Sequence, residues 1–368
     1  MNLRDAKIAI VCDWLTSFGG AERVVVALHE LFPDATIYTS IYNKKNFPQL
    51  KDAKVITSFL QKIPGAKSRH QLFLPFMPIV FENFNLDAYD LVISSNHSCS
   101  KGIITKPETV HVSYCHSPMR YAWDGYQKYI KEYTMNGIIK KWGKRFIHKI
   151  RMWDRLAADR VDHFLTNSAY VGKRIQKYYH RDATVIHTGI EIQKLKTTKE
   201  QKKYYLAVGR ITTYKKFDLI IEAFNELEVP LKIVGTGIEE KKLQKLAHQN
   251  IEFLGHISDQ DLSKLYTGAK ALIFPQCEDF GITPLESMAH GTPVIAYKEG
   301  GALETVKEGI SGIFFEKQEK KNLLEAIQRF EKEEKNFLPE KIHAHAEKFS
   351  TQSFKDKLKA FVDDKFGP

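Results

Sequence analysis

KIAIVCDWLTSFGGAERVVVALHELF, residues 7–32, contains a strand-like run followed by a helix-like run. The opening KIAIVCDWL has the continuous apolar character of a buried strand, and FGGAERVVVALHELF predicts a glycine turn that leads into an amphipathic helix. Continuous rather than alternating apolar strands are typical of a parallel sheet covered on both faces. The stretch therefore predicts a strand-turn-helix unit of an α/β fold.

Similar units recur along the whole chain. In the first half, short strands are predicted at Thr36–Ser40, Leu91–Ser94, Val110–Tyr114 and His163–Thr166. In the second half, amphipathic helices such as Asp218–Asn225 and Glu239–His248 separate five more strands: Tyr204–Val208, Leu231–Val234, Ile251–Leu254, Ala271–Phe274 and Val294–Tyr297. This alternation predicts two doubly wound, Rossmann-like domains.

The Lys-rich, aperiodic run from Lys194 to Lys203 separates the two series and predicts a linker. We expect an N-terminal domain at 1–190, a linker at 191–203 and a second domain at 204–350. The helical pattern from Thr351 to Phe366 belongs to no further strand, so we expect the segment 351–368 to return to the first domain as a helix.

Length and composition agree with two folded domains. The chain has 368 residues, 43% of them hydrophobic, which is enough for two buried cores and excludes a wholly disordered chain. The net charge of +11 suits a polyanion, an anionic membrane surface or a phosphorylated small molecule. Four separated cysteines without a C-x-x-C pair are typical of reduced cytosolic thiols.

The sequence contains no candidate membrane span. The apolar run before Asp13 is too short for the core of a signal peptide. The longest apolar stretch, Leu72–Phe81, is interrupted by Pro75 and Pro78. We therefore expect a cytoplasmic protein whose membrane contact, if any, is peripheral.

A glycine pair lies between the first strand and its helix. Gly19 and Gly20 would let the backbone approach a ligand closely, and the helix that follows would offer free N–H groups to a phosphate. A simple tight turn explains the pair equally well, since the full G-x-G-x-x-G fingerprint is absent.

Two cations follow the first strand of the second domain. Arg210 and Lys215 are five positions apart on one loop and could hold a diphosphate from two sides. A solvated basic loop is the alternative. The location favours binding, because open α/β sheets bind ligands beyond the carboxyl ends of their strands.

The segment EDFGITPLE, residues 278–286, follows the strand Ala271–Phe274. We expect Glu278 on a loop and Glu286 two turns into a helix. Carboxylates accept hydrogen bonds from sugar hydroxyls, and the N–H groups of Phe280, Gly281, Ile282 and Thr283 would be available to an anion or a hydroxyl. Ordinary surface charges on a helix are the alternative.

Together EDFGITPLE, the V-G-R-x4-K pattern of residues 208–215 and the early G-G-A-E resemble the retaining, nucleotide-sugar-dependent glycosyltransferases of family 4. The resemblance extends from Lys7 to about Phe366. It implies the GT-B fold, in which two Rossmann-like domains face each other across an interdomain cleft.

The resemblance also implies roles for matching residues. Arg210 and Lys215 would hold the donor diphosphate, Glu278 would contact the transferred sugar and Glu286 the ribose. The backbone of His256 and Ile257 would meet the nucleobase, while Gly19 and Gly20 would lie against the phosphates.

A histidine at a strand end completes the implied catalytic set of His116, Arg210, Lys215 and Glu278. His116 stands in VSYCHSP, residues 112–118, where related enzymes place a histidine near the reacting sugar. Such a histidine is more often structural when it is considered alone. The following MRYAWD resembles a subgroup associated with mannosyl transfer in polysaccharide assembly.

The charges make a metal unnecessary. Fixed cations at Arg210 and Lys215 would stabilise the negative charge that grows on the departing diphosphate. The string Asp259-Gln260-Asp261 follows Ser258 at a helix start, so we interpret it as a cap and not as a metal site. We expect no metal and no cofactor besides the donor substrate.

Residues 138–153 contain six basic residues and no acidic ones. Apolar residues at Ile139, Trp142, Phe146, Ile150 and Trp153 are spaced three or four apart, so they form one helix face. Two interpretations stay open: an interfacial helix on an anionic leaflet, or an apolar face packed on the first domain's own sheet.

From these observations we expect a hexosyltransferase, with mannose from GDP-mannose as the donor and a lipid-linked or polysaccharide glycan as the acceptor. A UDP-sugar donor, a nucleotide-sugar epimerase and a basic nucleic-acid-binding protein are the alternatives. The chain shows no recognisable nucleic-acid-binding module, so we expect no nucleic-acid partner.

Overall fold

The computed structural model describes residues 6–127, 130, 137–195 and 203–366, with side chains except those of 137–142. The chain forms two compact units. The first consists of Met1–Gly189 with Phe354–Pro368, and the second of Ile190–Ser353. Of the expected linker, 196–202 lie outside the described residues, and 191–195 belong to the second unit.

The first unit is built on a seven-stranded parallel sheet in the order β3-β2-β1-β4-β5-β6-β7. Its strands are β1 (Ile8–Cys12), β2 (Thr36–Thr39), β3 (Val55–Thr57), β4 (Leu91–Asn96), β5 (Val110–Cys115), β6 (His163–Thr166) and β7 (Ala183–Val185). The accompanying helices are α1 (Gly20–Leu31), α2 (Met77–Glu82), α3 (Gly137–Ala158) and α4 (Ala169–Tyr179).

The second unit is built on a six-stranded parallel sheet in the order β10-β9-β8-β11-β12-β13. Its strands are β8 (Tyr204–Val208), β9 (Leu231–Val234), β10 (Ile251–Gly255), β11 (Ala269–Phe274), β12 (Val294–Tyr297) and β13 (Gly312–Phe315). Its helices are α5 (Phe217–Leu227), α6 (Glu240–Gln244), α7 (Asp259–Gly268), α8 (Ile282–Ala289), α9 (Ala302–Thr305), α10 (Lys320–Glu333) and α11 (Pro339–Ala346).

The last helix, α12 (Thr351–Phe366), contacts the first unit, which confirms the expected return of the chain. Phe354, Leu358 and Val362 lie four residues apart, so they form one face, and all three are buried in the core of the first unit. The ring of Phe354 packs edge-on against Tyr114 of β5, with centroids 5.6 Å apart. An apolar stripe therefore holds the helix on this sheet.

Both faces of the first sheet are covered, as the continuous apolar strands predict. Ile10 of β1 faces the buried cluster beneath α1 and α12, whereas its neighbours Ala9 and Val11 face a second cluster that includes residues of α2 and α3. The alternation along one strand thus fills two core layers.

The apolar face of α3 packs in this second cluster. Ile150 is buried, and Phe146 and Trp153 are partly buried against the same core. Trp153 lies so close to Gly102 that a Cβ atom there would be 2.3 Å from its ring. The described part of the segment 138–153 therefore follows the packing interpretation, while the side chains of Ile139 and Trp142 lie outside the described residues.

Each sheet has a point where the strand order reverses. In the first sheet β1 lies between β2 and β4, and in the second sheet β8 lies between β9 and β11. At such a point the loops beyond the carboxyl ends of the two central strands diverge, so a ligand can enter between them. Functional side chains are therefore expected at these two places.

Candidate functional site

The reversal point of the second sheet brings two predicted site residues together. β8 leads into the loop that carries Lys215, and β11 leads into the loop that carries Glu278. Lys215 Nζ forms an ion pair with Glu278 Oε1, without the angles of a hydrogen bond, and the two side chains are 13% and 19% exposed. A cation and a carboxylate from loops 63 positions apart thus form one partly accessible site.

Glycines shape the loop that carries Lys215. Gly209 has a φ of +150°, and a Cβ atom there would lie 3.6 Å from Lys215 Nζ. A Cβ atom on Gly235 would come within 2.0 Å of the Gly209 carbonyl oxygen, and one on Gly237 within 2.1 Å of the Ile211 carbonyl oxygen. The loop after β9 therefore supports, through direct backbone contact, the loop that carries Lys215. The side chain of Arg210 is exposed on the Lys215 loop.

A second glycine pair fixes the loop of Glu278. Gly301 N–H donates to the Glu278 carbonyl oxygen at 2.9 Å. A Cβ atom on Gly301 would lie 2.3 Å from Phe280 Cα, and one on Gly300 would lie 2.4 Å from the Glu278 carbonyl oxygen. Sequence reasoning missed Gly300 and Gly301, although a glycine pair in the loop that follows β12 was an available signal.

The loop then turns into α8 through Gly281, which has a φ of +90°. The first turn of a helix leaves N–H groups without intrahelical partners, so those of Ile282 and Thr283 can serve an anion or a hydroxyl. The side chain of Phe280 is buried and packs against Phe349, with ring centroids 6.3 Å apart. Phe280 can therefore offer a ligand only its backbone.

Glu286 does not lie where the sequence placed it. It is the fifth residue of α8, about one turn into the helix, and the expected two turns are wrong because the helix begins at Ile282. Tyr266 O–H donates to Glu286 Oε2 at 3.3 Å. Its half-buried carboxylate is thus held beside α7.

The segment expected to meet the nucleobase follows β10. Gly255 has a φ of +64°, and its carbonyl oxygen accepts a 2.8 Å hydrogen bond from Gly235 N–H. His256 is exposed, whereas Ile257 packs partly against the core. The hydrogen bond connects this segment to Gly235, the glycine that also supports the loop of Lys215.

The D-x-D string lies in the first turn of α7, directly after the N-cap residue Ser258, so the predicted position at a helix start is confirmed. Ser258 Oγ accepts a 3.2 Å hydrogen bond from Asp261 N–H at the start of α7. Asp261 lies 2.8 Å from Lys264 Nζ, and hydrogen bonds from Lys264 and Ser258 lower its pKa. In the described part of the chain, no group of three or more His, Cys, Asp or Glu side chains could hold a metal ion.

The reversal point of the first sheet holds a buried carboxylate that sequence reasoning missed. Asp13 follows β1, and its Oδ2 accepts from His97 N–H and Ser98 N–H at 2.7 and 2.9 Å. Its Oδ1 accepts from Cys99 N–H and Ser100 N–H at 2.6 and 2.7 Å. One carboxylate thus fixes the loop after β4.

Asp13 also orients an imidazole. His97 Nδ1 lies 3.2 Å from Asp13 Oδ2, and the ring meets Trp14 edge-on at 4.7 Å. Burial raises the pKa of the nearby Glu22 carboxyl, while the charge of His97 acts in the opposite direction. Polar residues directly after two central strands were the signal that could have pointed to Asp13 and His97.

The predicted His116 lies at the end of β5 in the same unit. Its Nε2 is 2.9 Å from Ser95 Oγ, and its ring packs against Tyr114 with centroids 5.1 Å apart. Burial, with a smaller contribution from His97, lowers the pKa of His116 to about 3. The imidazole is therefore neutral at physiological pH and can exchange hydrogen bonds without carrying charge.

The predicted glycine pair begins α1. Gly19 is the residue before the helix and has extended backbone, so its φ alone does not require glycine. A Cβ atom there would lie 3.0 Å from Glu22 Oε2, which shows how closely the turn approaches that carboxylate. Gly20 is the first helical residue. Both interpretations of the pair, tight turn and phosphate approach, are compatible with this geometry.

Two family models match this chain. The model described as "Glycosyltransferase Family 4" matches residues 18–194, and the model described as "Glycosyl transferases group 1" matches residues 190–349. The two matches together extend over both units. The chain belongs to glycosyltransferase family 4.

Individual relatives agree with this assignment. The chain is 24% identical to the α-1,3/1,6-mannosyltransferase alg2 of Schizosaccharomyces pombe, over 83% of this chain and 70% of that protein. It is 30% identical to the O-antigen chain mannosyltransferase RfbU of Salmonella typhimurium, over 41% of this chain and 46% of that protein. Its matches to two glycosyltransferases of Methanocaldococcus jannaschii cover only 52% and 32% of their lengths.

A solved structure confirms the fold. The Anabaena protein HepE, crystallised with UDP and glucose, superposes with a TM-score of 0.72 at 17% identity, over 97% of this chain and 99% of that chain. The expected GT-B class, with two parallel α/β sheets, is therefore confirmed. None of the described helices is both long enough and apolar enough to cross a membrane.

Proposed function

We propose that this protein is a retaining glycosyltransferase that moves a hexose from a nucleotide sugar to an acceptor glycan. The observation that carries the proposal is the Lys215–Glu278 pair at the reversal point of the second sheet, with Arg210 on the same loop. Family membership favours this function over the epimerase and nucleic-acid alternatives.

The charges account for the chemistry. As the anomeric C–O bond breaks, negative charge grows on the diphosphate and positive charge on the sugar ring. Cations fixed at Arg210 and Lys215 stabilise that separation more than they stabilise the ground state. Glu278 is close enough to Lys215 to accept hydrogen bonds from sugar hydroxyls beside the departing phosphate.

The remaining predicted residues bind and orient the donor. The first turn of α8 supplies N–H groups from Ile282 and Thr283, and Glu286 receives the ribose hydroxyls. The neutral imidazole of His116 contacts the reacting sugar. The acceptor hydroxyl attacks the anomeric carbon on the face that the phosphate leaves, so the anomeric configuration is retained. The leaving phosphate takes the acceptor proton, and neither a second carboxylate nor a metal is therefore required.

GDP-mannose is the proposed donor and mannose the transferred sugar. The proposed acceptor is a lipid-linked or polysaccharide glycan at the inner face of the cytoplasmic membrane. The likeness to the mannosyltransferases alg2 and RfbU supports this choice. The second candidate is a UDP-sugar, which the UDP and glucose bound to HepE favour.

Thermal shift with GDP-, UDP-, ADP- and dTDP-sugars tests the donor, because a ligand that binds only the native state raises its stability. We expect the largest shift with GDP-mannose. Sugar release from that donor then tests the site: Arg210→Ala, Lys215→Ala and Glu278→Ala should each lower the rate at least about tenfold, or 1.4 kcal/mol.

The matched control is Lys298→Ala, which removes a cation from an exposed ion pair with Glu316 in the same unit. Its rate should equal that of the wild type. Near-normal rates in all three site variants would disprove the site assignment, and a UDP-sugar shift without a GDP-sugar shift would disprove the choice of GDP-mannose.

A further inference from the structure

One stretch of the first unit combines cations with exposed apolar side chains. Residues 53–81 lie between Asp52 and Glu82 and contain no acidic residue. They carry four cations, and all four side chains are exposed: Lys54, Lys62, Lys67 and Arg69. The stretch therefore has a net positive charge, because no acidic residue lies within it.

The same stretch exposes large apolar side chains between residues 59 and 79. They are Phe59, Ile63, Leu72, Phe76 and Ile79, and their exposure ranges from 36% for Ile63 to 66% for Leu72. Among the described residues, fourteen large apolar side chains are exposed, and five of them fall within these 21 positions. Apolar side chains grouped in this way mark an interaction site more often than single ones do. We call this region the 59–79 surface.

Buried side chains of the same stretch fix the 59–79 surface to the core of the first unit. Leu60, Ala66, Met77 and Val80 are buried in the core cluster of α2 and α3 and alternate along the chain with the exposed residues. Ser58 Oγ accepts a 3.1 Å hydrogen bond from Leu60 N–H, which starts the short 3₁₀ turn there. The exposed apolar groups are thus held outward by a packed scaffold.

Helix α3 lies over the same core cluster and extends the pattern. Trp153 Nε1 of α3 donates to Glu82 Oε1 at the end of α2, at 2.8 Å. Its outward residues include Met152 and Leu156, which are more than half exposed, together with the exposed cations Lys144, Arg145 and Lys149. The cations Lys144, Arg145 and Lys149 therefore lie on the outer face of the helix.

We propose that the 59–79 surface docks the protein on an anionic lipid membrane. Phe and Leu side chains enter the boundary between headgroups and acyl chains, and the nearby cations are attracted to the negative charge of an anionic leaflet. A symmetric contact between two copies is disfavoured, because Lys62, Lys67 and Arg69 would then face the same cations. A lipid surface satisfies both the apolar groups and the charges.

Co-sedimentation with vesicles tests the proposal. Vesicles of phosphatidylglycerol and phosphatidylethanolamine should bind the full chain, and vesicles of phosphatidylcholine should bind it at least about tenfold less. The triple variant Phe59→Ser, Leu72→Ser, Phe76→Ser and the triple variant Lys62→Glu, Lys67→Glu, Arg69→Glu should each reduce the partition coefficient at least tenfold.

Matched controls come from the second unit. Ile238→Ser, Leu246→Ser, Leu303→Ser removes three apolar side chains that are each more than half exposed. Lys241→Glu, Lys245→Glu, Lys317→Glu reverses three exposed cations. Both controls should bind anionic vesicles like the wild type. Thermal melting of every variant should match the wild type, since the substituted side chains are exposed.

Three results would overturn the proposal. The first is wild-type binding by the 59–79 variants, the second is an equal loss in the controls, and the third is equal binding to phosphatidylcholine vesicles. A dimer in sedimentation velocity that the apolar variant converts to a monomer, without a vesicle effect, would assign the surface to contact between copies. Nucleotide-sugar thermal shifts are measured without vesicles, so failure of the proposed function is distinguishable.

Discussion

The two sheets place charged groups at equivalent points and use them differently. At the reversal point of the first sheet, the carboxylate of Asp13 is buried and accepts four backbone N–H groups. At the reversal point of the second sheet, Glu278 is partly exposed and forms an ion pair with one side chain, that of Lys215. The first carboxylate is engaged in holding a loop, whereas the second can exchange its partner for a ligand.

The largest effect expected from this difference is on stability. Asp13→Ala leaves four backbone N–H groups without their acceptor in a buried loop, and each such group costs about 1–3 kcal/mol. We expect the free energy of unfolding to fall by about 3 kcal/mol or more. Chemical denaturation followed by circular dichroism measures it.

Glu278→Ala is the matched carboxylate removal in the second unit. It should cost less than half as much stability as Asp13→Ala, since solvent reaches the site and can hydrate Lys215. Equal losses in the two variants would show that the two carboxylates do the same structural work, and the comparison would fail.

The next effect concerns the buried imidazole of the first unit. The pKa of His116 is about 3 in the folded protein and about 6.5 in the unfolded chain, so between these values the unfolded state binds more protons. Stability should therefore fall as the pH drops below 6.5, by as much as about 1.4 kcal/mol per pH unit for this one group. Melting curves at pH 6.5 and 5.0 measure the slope.

His116→Gln should reduce that slope by removing the titrating group. Part of the slope should persist, because burial also lowers the pKa of His111 to about 4. The exposed His248 provides the control, and His248→Gln should leave the slope unchanged. An unchanged slope in His116→Gln would mean that His116 is accessible to protons in the folded state.

A smaller effect should separate donor binding from stability in the second unit. In Gly301→Ala the new Cβ atom would lie 2.3 Å from Phe280 Cα, so the loop of Glu278 must shift. We expect donor affinity, measured by calorimetric titration with the nucleotide sugar found by thermal shift, to fall at least about tenfold. Gly172→Ala adds a Cβ atom at an ordinary distance of 3.8 Å from Thr166 and should bind normally. Normal affinity in Gly301→Ala would show that the glycine does not position the loop.

Sequence patterns predicted the strands and the terminal helix closely, because these elements are defined by local apolar runs. Helix α12 and strand β8 have the predicted bounds. The strands β3, β7 and β13 were missed, and β3 and β7 have only three residues each, none of them buried, so they lack the buried apolar run that marks the other strands. Helix α6 ends at Gln244, four residues before the predicted end, because the apolar pattern continues into turns that are not helical.

The site was predictable where its residues lie within one motif. Lys215 and Glu278 come from segments that are each recognisable alone. Asp13 and His97 are 84 positions apart, and only the pairing of β1 with β4 brings them together. Neighbouring strands in a doubly wound sheet are not fixed by spacing along the chain, so this cluster could not be assembled from sequence alone.

The smallest expected effect on stability concerns the start of α7, where Asp259 and Asp261 follow the capping residue Ser258. Ser258→Ala removes the acceptor for Asp261 N–H at the start of α7 and should lower the free energy of unfolding by about 1 kcal/mol. Donor affinity should stay unchanged in this variant and in the presence of EDTA, because we expect the aspartates near Ser258 to stabilise a helix end and not to hold an ion. Ser353→Ala in α12 is the control variant, and it should leave both the free energy of unfolding and the donor affinity unchanged. A loss of donor affinity on chelation, reversed by added divalent metal, would instead make the D-x-D string part of the binding site and join it functionally to Glu278.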